Sequence, residues 1–223
     1  MDDTIFDYEK SICAMLIKYI DKLDFLTDDD KAMSLKIVLL YKNKINGLYK
    51  IYDFINSEEK EFIDNDLNLE KHDKDININM NNKTSNISIS NFKNILEGSI
   101  DILEDILPIG TIIELKSQFI KSLYGDTQFK ENPKFIIIRR FLSKEGSLSY
   151  FPYAAVLYPT GELNDGNNIY LTSQAIEKIV YKGFSDEKDL AFICVMKSEM
   201  IFKKNMKSIS FSSEEERLVY INQ

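Results

Sequence analysis

Leu107-Pro108-Ile109-Gly110-Thr111, the run Phe135-Ile136-Ile137-Ile138, Tyr158-Pro159-Thr160-Gly161 and Ile179-Val180-Tyr181-Lys182-Gly183-Phe184 punctuate the stretch from Leu107 to Phe192 that decides how this 223-residue chain is read. β-Branched and aromatic runs set off by Pro and Gly spell short strands and turns, because Gly supplies positive φ and Pro presets a turn. Thr111 to Lys116 is strand-like in composition. Gln118 to Pro133 interrupts as loop, with a helical turn at Phe119 to Tyr124. Lys134 to Leu142 is the strongest strand, and Ser149 to Tyr158 pairs with it across Lys144-Glu145-Gly146. Ile169 to Leu171 and Ile179 to Tyr181 complete the set, with one turn capped by Ser173 between them. The expectation is an α+β chain whose later half is a small, mainly antiparallel twisted sheet or half-open barrel with flanking helices.

Working outward, Phe92, Leu96, Leu103 and Ile106, with Ile95 and Ile102 alongside, predict a helix capped at Ser90 and stopped by Pro108, a brace for the same domain. Asp64 to Ser88 is dominated by Asn, Asp and Lys and reads as a polar linker, since sparse apolar residues oppose little of the ordering entropy. The alternative there is a short edge pair made by Ile76-Asn77-Ile78-Asn79-Met80 and Ile87-Ser88-Ile89. Further upstream, Ile12, Leu16, Tyr19, Leu23 and Leu26 recur at helical steps. Thr27-Asp28-Asp29-Asp30 ends that helix and caps a second one along Met33, Ile37, Leu40, Leu48, Ile51 and Ile55. Gly47 marks a bend or a close contact in its middle. The division is a helical hairpin over 1–63, a linker over 64–88 and an α+β domain over 89–223.

Charge and residue inventory narrow the function. A net charge of -8 argues against a phosphate backbone as ligand, and Lys203, Lys204 and Lys207 read as a solvated face. The acidic Met1-Asp2-Asp3-Thr4 lacks the basic start of a secretory leader, and Lys18, Lys36 and Lys42 interrupt every apolar run before membrane-spanning length. A cytoplasmic chain with two unpaired thiols, Cys13 and Cys194, follows. The single histidine, His72, lies in the linker, so no His-dependent catalytic set, no metal ligand set and no cofactor is expected. Carboxylates such as Glu114, Glu162 and Asp186 are all that remain for an enzyme, and no activity is expected of them.

Several residues remain as candidates for contact with a partner. Tyr41, Tyr49 and Tyr52, with Phe54, lie partly off the apolar stripe of the second helix, as further core or as a docking surface. Arg140 braces the sheet by pairing with Glu162 or Asp186, or offers its guanidinium to a partner's carboxylate. Tyr158 closes the second hairpin strand. Asn164 to Asn168 carries one carboxylate, Asp165, and reads as a polar loop rather than a calcium loop. Asp186 to Ile193 and Lys197 to Phe202 read equally as helix or strand; as helix, Ala191, Phe192, Val195, Met196 and Met200 share one face. Ser212 to Glu216 starts a last segment whose apolar Leu218-Val219-Tyr220-Ile221 packs on its own domain or on a second chain, which leaves homo-oligomers open.

The series Leu107-Pro108-Ile109-Gly110-Thr111-Ile112-Ile113-x-Leu115-Lys116, Ile136-Ile137-Ile138 followed by arginine, Tyr153-x-x-Val156-x-Tyr158-Pro159-x-Gly161 and Ile176-x-x-Ile179-x-Tyr181-x-Gly183-Phe184-x-Asp186-Glu187 resembles an uncharacterised small domain family of low-GC Gram-positive bacteria. That family is encoded beside type VII (ESX-like) secretion genes and LXG-type toxin genes. Arg140 matches its arginine and Arg139 stands where it has glycine, while Thr172-Ser173-Gln174-Ala175 replaces its Asn-His-Glu-Asp-like turn. The resemblance implies a cytoplasmic accessory or adaptor factor that binds a toxin or a secretion component. The other reading is an immunity protein whose acidic surface meets a basic toxin domain.

Overall fold

The computed structural model describes residues 6–125, 129, 131–162, 168–213 and 216. The loop Asn164 to Asn167 and the apolar tail Leu218 to Ile221 lie outside the described residues. The chain is α+β and divides into two compact units, one of Asp7–Glu104 and one running from Asp105 onward together with Phe6. Among the described residues no helix is long and apolar enough to cross a membrane.

In the first unit, α1 (Tyr8–Asp21) is capped by Asp7 and buries Ile12, Leu16 and Ile20, so Leu23 and Leu26 fall beyond its end. Helix α2 (Asp28–Leu40) begins with the capping box read from Thr27 and Asp30. Burial raises the Asp30 carboxyl, but hydrogen bonds from Ser85 and Thr27 outweigh this and hold it below its ordinary value. The second predicted helix is in fact two, because the chain turns at 41–44 before α3 (Ile45–Asn56). Gly47 lies not at this break but in the first turn of α3, where it marks a close contact: the Tyr41 ring folds onto it so closely that no Cβ would fit.

The expected linker is a sheet. Strands β1 (Glu61–Asp64), β2 (Leu67–His72), β3 (Asp75–Met80) and β4 (Lys83–Ser88) form a four-stranded antiparallel meander in chain order. Its turns are two residues long and use Asn65, Asp73, Asn81 and Asn82 at positive φ, which Asn and Asp tolerate better than other residues with a side chain. Leu67, Leu69, Ile76, Ile78, Met80 and Ile87 face inward and are buried. The other face carries the rows Asn68↔Asn79↔Thr84 and Glu70↔Asn77↔Asn86. Half the residues of a one-sided sheet are polar by construction, and this produced the linker-like composition.

Helix α4 (Ile89–Leu103) also belongs to this unit rather than to the later domain, so the boundary falls at Glu104. Ser88, not Ser90, caps it, and it ends where Glu104 turns extended, before Pro108. It packs on α1 and α3 and buries Phe92, Ile95, Leu96, Ile100 and Ile102 together with Glu97 and Asp101.

The second unit contains β5 (Ile112–Leu115), α5 (Ser117–Tyr124), β6 (Lys134–Ser143), β7 (Ser149–Tyr158), β8 (Ile169–Leu171), β9 (Ile176–Tyr181), α6 (Glu187–Lys197) and β10 (Lys207–Ser208). The strand order is β10-β7-β6-β5-β9, with β8 also on β7. Every pairing is antiparallel except β10 with β7. The sheet is open and β9 ends it. β7 is buried on both faces over residues 152–156, which is why its sequence reads as an unbroken apolar run.

After Lys197 the chain continues as a π-helical turn over Ser198–Lys203. The buried face of this helical stretch is Ile193, Cys194, Lys197, Met200 and Ile201, leaving Phe192 and Val195 exposed. Residues 190–196 are apolar all round apart from the weakly polar thiol, so periodicity alone does not choose a face.

Candidate interaction site

Two of the punctuated segments meet at one corner of the second unit. Gly110 N–H donates to Ile137 O (2.8 Å) and Ile137 N–H to Thr111 O (2.9 Å), continuing the ladder beyond β5. Thr111 Oγ1 donates to Pro108 O (2.7 Å) and accepts from Gly183 N–H (3.1 Å). Gly183 lies so close to the other segment that a Cβ would sit 2.3 Å from Ile109 O. The buried Tyr153 hydroxyl accepts from Leu107 N–H at 3.0 Å and fixes the entry of the same segment. Gly110 adopts φ +81, a region open to glycine at little cost.

This interlock turns apolar side chains outward. Ile109 is 53 % exposed, Tyr181 62 % and Phe184 80 %, and Ile179 and Val180 on β9 are also exposed. Single exposed apolar residues are ordinary, whereas several on two segments held against each other by backbone contacts, here Ile109 and the stretch Tyr181 to Phe184, make a candidate contact surface. The register of β9 on β5 shifts twice, between Ile112 and Ile113 and between Glu114 and Leu115. Such bulges twist an edge strand and blunt its ladder, so contact here falls to side chains.

Arg140 holds the loop that carries Phe184. Its Nη2 donates to Asp189 Oδ1 at 2.6 Å, with the two side chains 6 % and 17 % exposed. Asp189 Oδ2 accepts from Ser185 Oγ at 2.9 Å, and Asp186 Oδ1 caps Asp189 N–H at 2.9 Å. The Phe192 ring covers the guanidinium at 5.4 Å. Arg140 is thus a brace whose carboxylate is Asp189, not Glu162 or Asp186. Breaking a buried pair by removing one partner costs about 3–5 kcal/mol, so this contact can fix the first turn of α6 and the segment before it.

The remaining sequence candidates are placed otherwise. Tyr41 is buried and donates to Asp64 Oδ2 (2.7 Å). Tyr49 donates to Glu104 Oε1 (2.6 Å) and Tyr52 to Glu97 Oε1 (3.3 Å), so both join α3 to α4 or its end. Tyr158 is exposed at the end of β7, in the row Tyr158↔Lys134↔Glu114↔Lys178. Three strand spacings of about 4.8 Å separate it from β9. Ile109, Tyr181 and Phe184 were not singled out from sequence as contact residues. The available signal was a large aromatic directly after a glycine in an otherwise polar run.

Reactive groups do not gather at the corner. His72 ends β2, exposed, 3.6 Å from Glu70. Cys13 lies 3.7 Å from Lys42 Nζ, and burial raises the pKa of Cys194 despite the opposing charge of Lys197. Among the described residues no group of three or more His, Cys, Asp or Glu side chains is arranged to hold a metal ion.

No curated protein and no solved structure matches the chain. Residues 106–192, the segment that holds the Gly183 interlock and the Arg140 brace, match the family described as Domain of unknown function (DUF4176).

Proposed function

We propose that this chain is a non-enzymatic protein-binding factor, a cytoplasmic accessory or adaptor of a type VII secretion toxin system, and that it holds its partner through the Ile109, Tyr181 and Phe184 corner. The observation that carries this reading is the exposed apolar surface raised by an interlocked backbone. A surface built this way loses little conformational entropy on docking, because its backbone is already ordered. The secretion context rests on the resemblance of the motif series and on the neighbouring genes of that family.

Co-expression with the adjacent toxin and secretion genes, followed by affinity purification of this chain, tests the proposal. One defined partner should co-purify with the wild type and be lost with Phe184→Ala combined with Tyr181→Ala, while the variant stays folded. Equal recovery by the variant would remove the corner from the proposal, and no partner with either chain would remove the adaptor reading.

The net charge of -8 supports the second reading, immunity against a basic toxin domain. Rescue of cells from the toxin's catalytic domain favours immunity. Binding to the toxin's N-terminal helical region favours the accessory role.

A further inference from the structure

The geometry points to a second docking edge, β1 of the first unit, that accepts an extended basic segment of a partner protein as an added strand. Lys71 N–H donates to Lys60 O at 2.8 Å, and the register Glu61↔Glu70 to Asp64↔Leu67 continues without a bulge. Alternate residues of an antiparallel strand turn their N–H and C=O to opposite sides, so Phe62 and Asp64 bond to β2 while those of Glu61 and Ile63 point to the open side. β1 ends the sheet order, and among the described residues no strand pairs with that side. The opposite edge, β4, is tied to α2 through Ser85 and Asp30. Regular, unpaired ladder groups of this kind are the template for strand addition.

Charge selects the occupant. From Ser57 to Asp66 the chain carries Glu58, Glu59, Glu61, Asp64 and Asp66 against the single Lys60. Glu58, Glu59, Glu61 and Asp66 are exposed, and Ile63, 66 % exposed, is the apolar centre of the row. A second copy of this strand would bring two such acidic rows together, which opposes self-pairing. A strand with Lys or Arg at alternate positions sets those side chains on the face of Glu61 and Ile63, where the charged ends meet carboxylate and the methylene stems cross Ile63. Its apolar residues fall on the opposite face, beside half-buried Phe62. This inference does not rest on the corner at Phe184, which lies in the other unit.

The test uses the full chain and two synthetic ten-residue peptides, one alternating lysine with valine and one alternating glutamate with valine. Anisotropy titration should show the lysine peptide binding at least tenfold tighter, with affinity falling as salt rises. Amide exchange should slow at Glu61 and Ile63. Ile63→Pro removes an outward N–H without touching the β2 ladder, and should lower affinity at least tenfold with an unchanged circular dichroism spectrum. Glu58→Lys with Glu59→Lys and Glu61→Lys should reverse the peptide preference. Equal affinity for the two peptides, no binding of either, or protection that spares Glu61 and Ile63 would overturn the proposal.

Discussion

The sheet of residues 61–88 and the sheet of residues 112–208 are written in different alphabets. In the first, inward Ile76 and Ile78 alternate with outward Asn77 and Asn79, and Asn or Asp makes the turns. In the second, β7 is covered on both faces and Gly146 turns the hairpin that precedes it. Composition averaged over a window erases a two-residue period, so a one-sided sheet imitates a linker while a two-sided sheet announces itself. Their end strands differ as well: β1 is regular and acidic, and β9 is bulged and apolar.

The largest expected effect sets the second sheet against the first. Arg140→Ala leaves Asp189 unpaired and should cost about 3–5 kcal/mol in urea unfolding followed at amides of the second unit. Replacing both partners with apolar residues of similar volume should cost far less; an equal loss would show that the brace is not the reason.

Ile78→Ala should cost about 2–5 kcal/mol, read at amides of the first unit, because Ile78 is fully buried under the meander. Asn77→Ala, one residue away on the open face, should stay within about 0.5 kcal/mol. Similar values for the two would contradict the one-sided sheet.

Gly47→Ala and Gly183→Ala test the two close approaches. Each should destabilise its own unit by about 1–3 kcal/mol. Gly47 meets the Tyr41 ring and Gly183 meets the backbone carbonyl of Ile109, so only the second should also weaken partner recovery. Loss of recovery with Gly47→Ala would separate binding from the corner.

The smallest effect concerns pH. Burial first, then Asp101 and Glu97, raises Tyr19 above its ordinary 10.0, and burial with the hydrogen bond to Asp64 raises Tyr41. A raised folded value means that stability is complete below pH 10 and falls as pH climbs beyond it. The loss should be on the order of 1 kcal/mol per tyrosine for each pH unit above that point, read as unfolding against tyrosinate absorbance. Tyr41→Phe should flatten part of this dependence.

Much of the chain was legible. The Thr27 capping box and the β6–β7 hairpin are local events, fixed by hydrogen bonds and turn chemistry within a few residues. The single turn over Ser173–Ala175 was legible as well, although its N-cap is Thr172, with no side-chain bond, and not Ser173. The linker was misread because the meander's burial comes from α2 and α4, which its own residues do not reveal. The face of α6 was misread because apolar residues surround it.

By itself the sequence determined the α+β class, the acidic balance, the positions of β5 to β9 and the Thr27 cap, since propensity, turn residues and period act over short range. Tertiary structure alone decided that Arg140 pairs with Asp189, that α4 serves the first unit, and that Gly183 against Ile109 lifts Phe184 into solvent. Those outcomes depend on which distant segments share space, and local propensity carries no term for that.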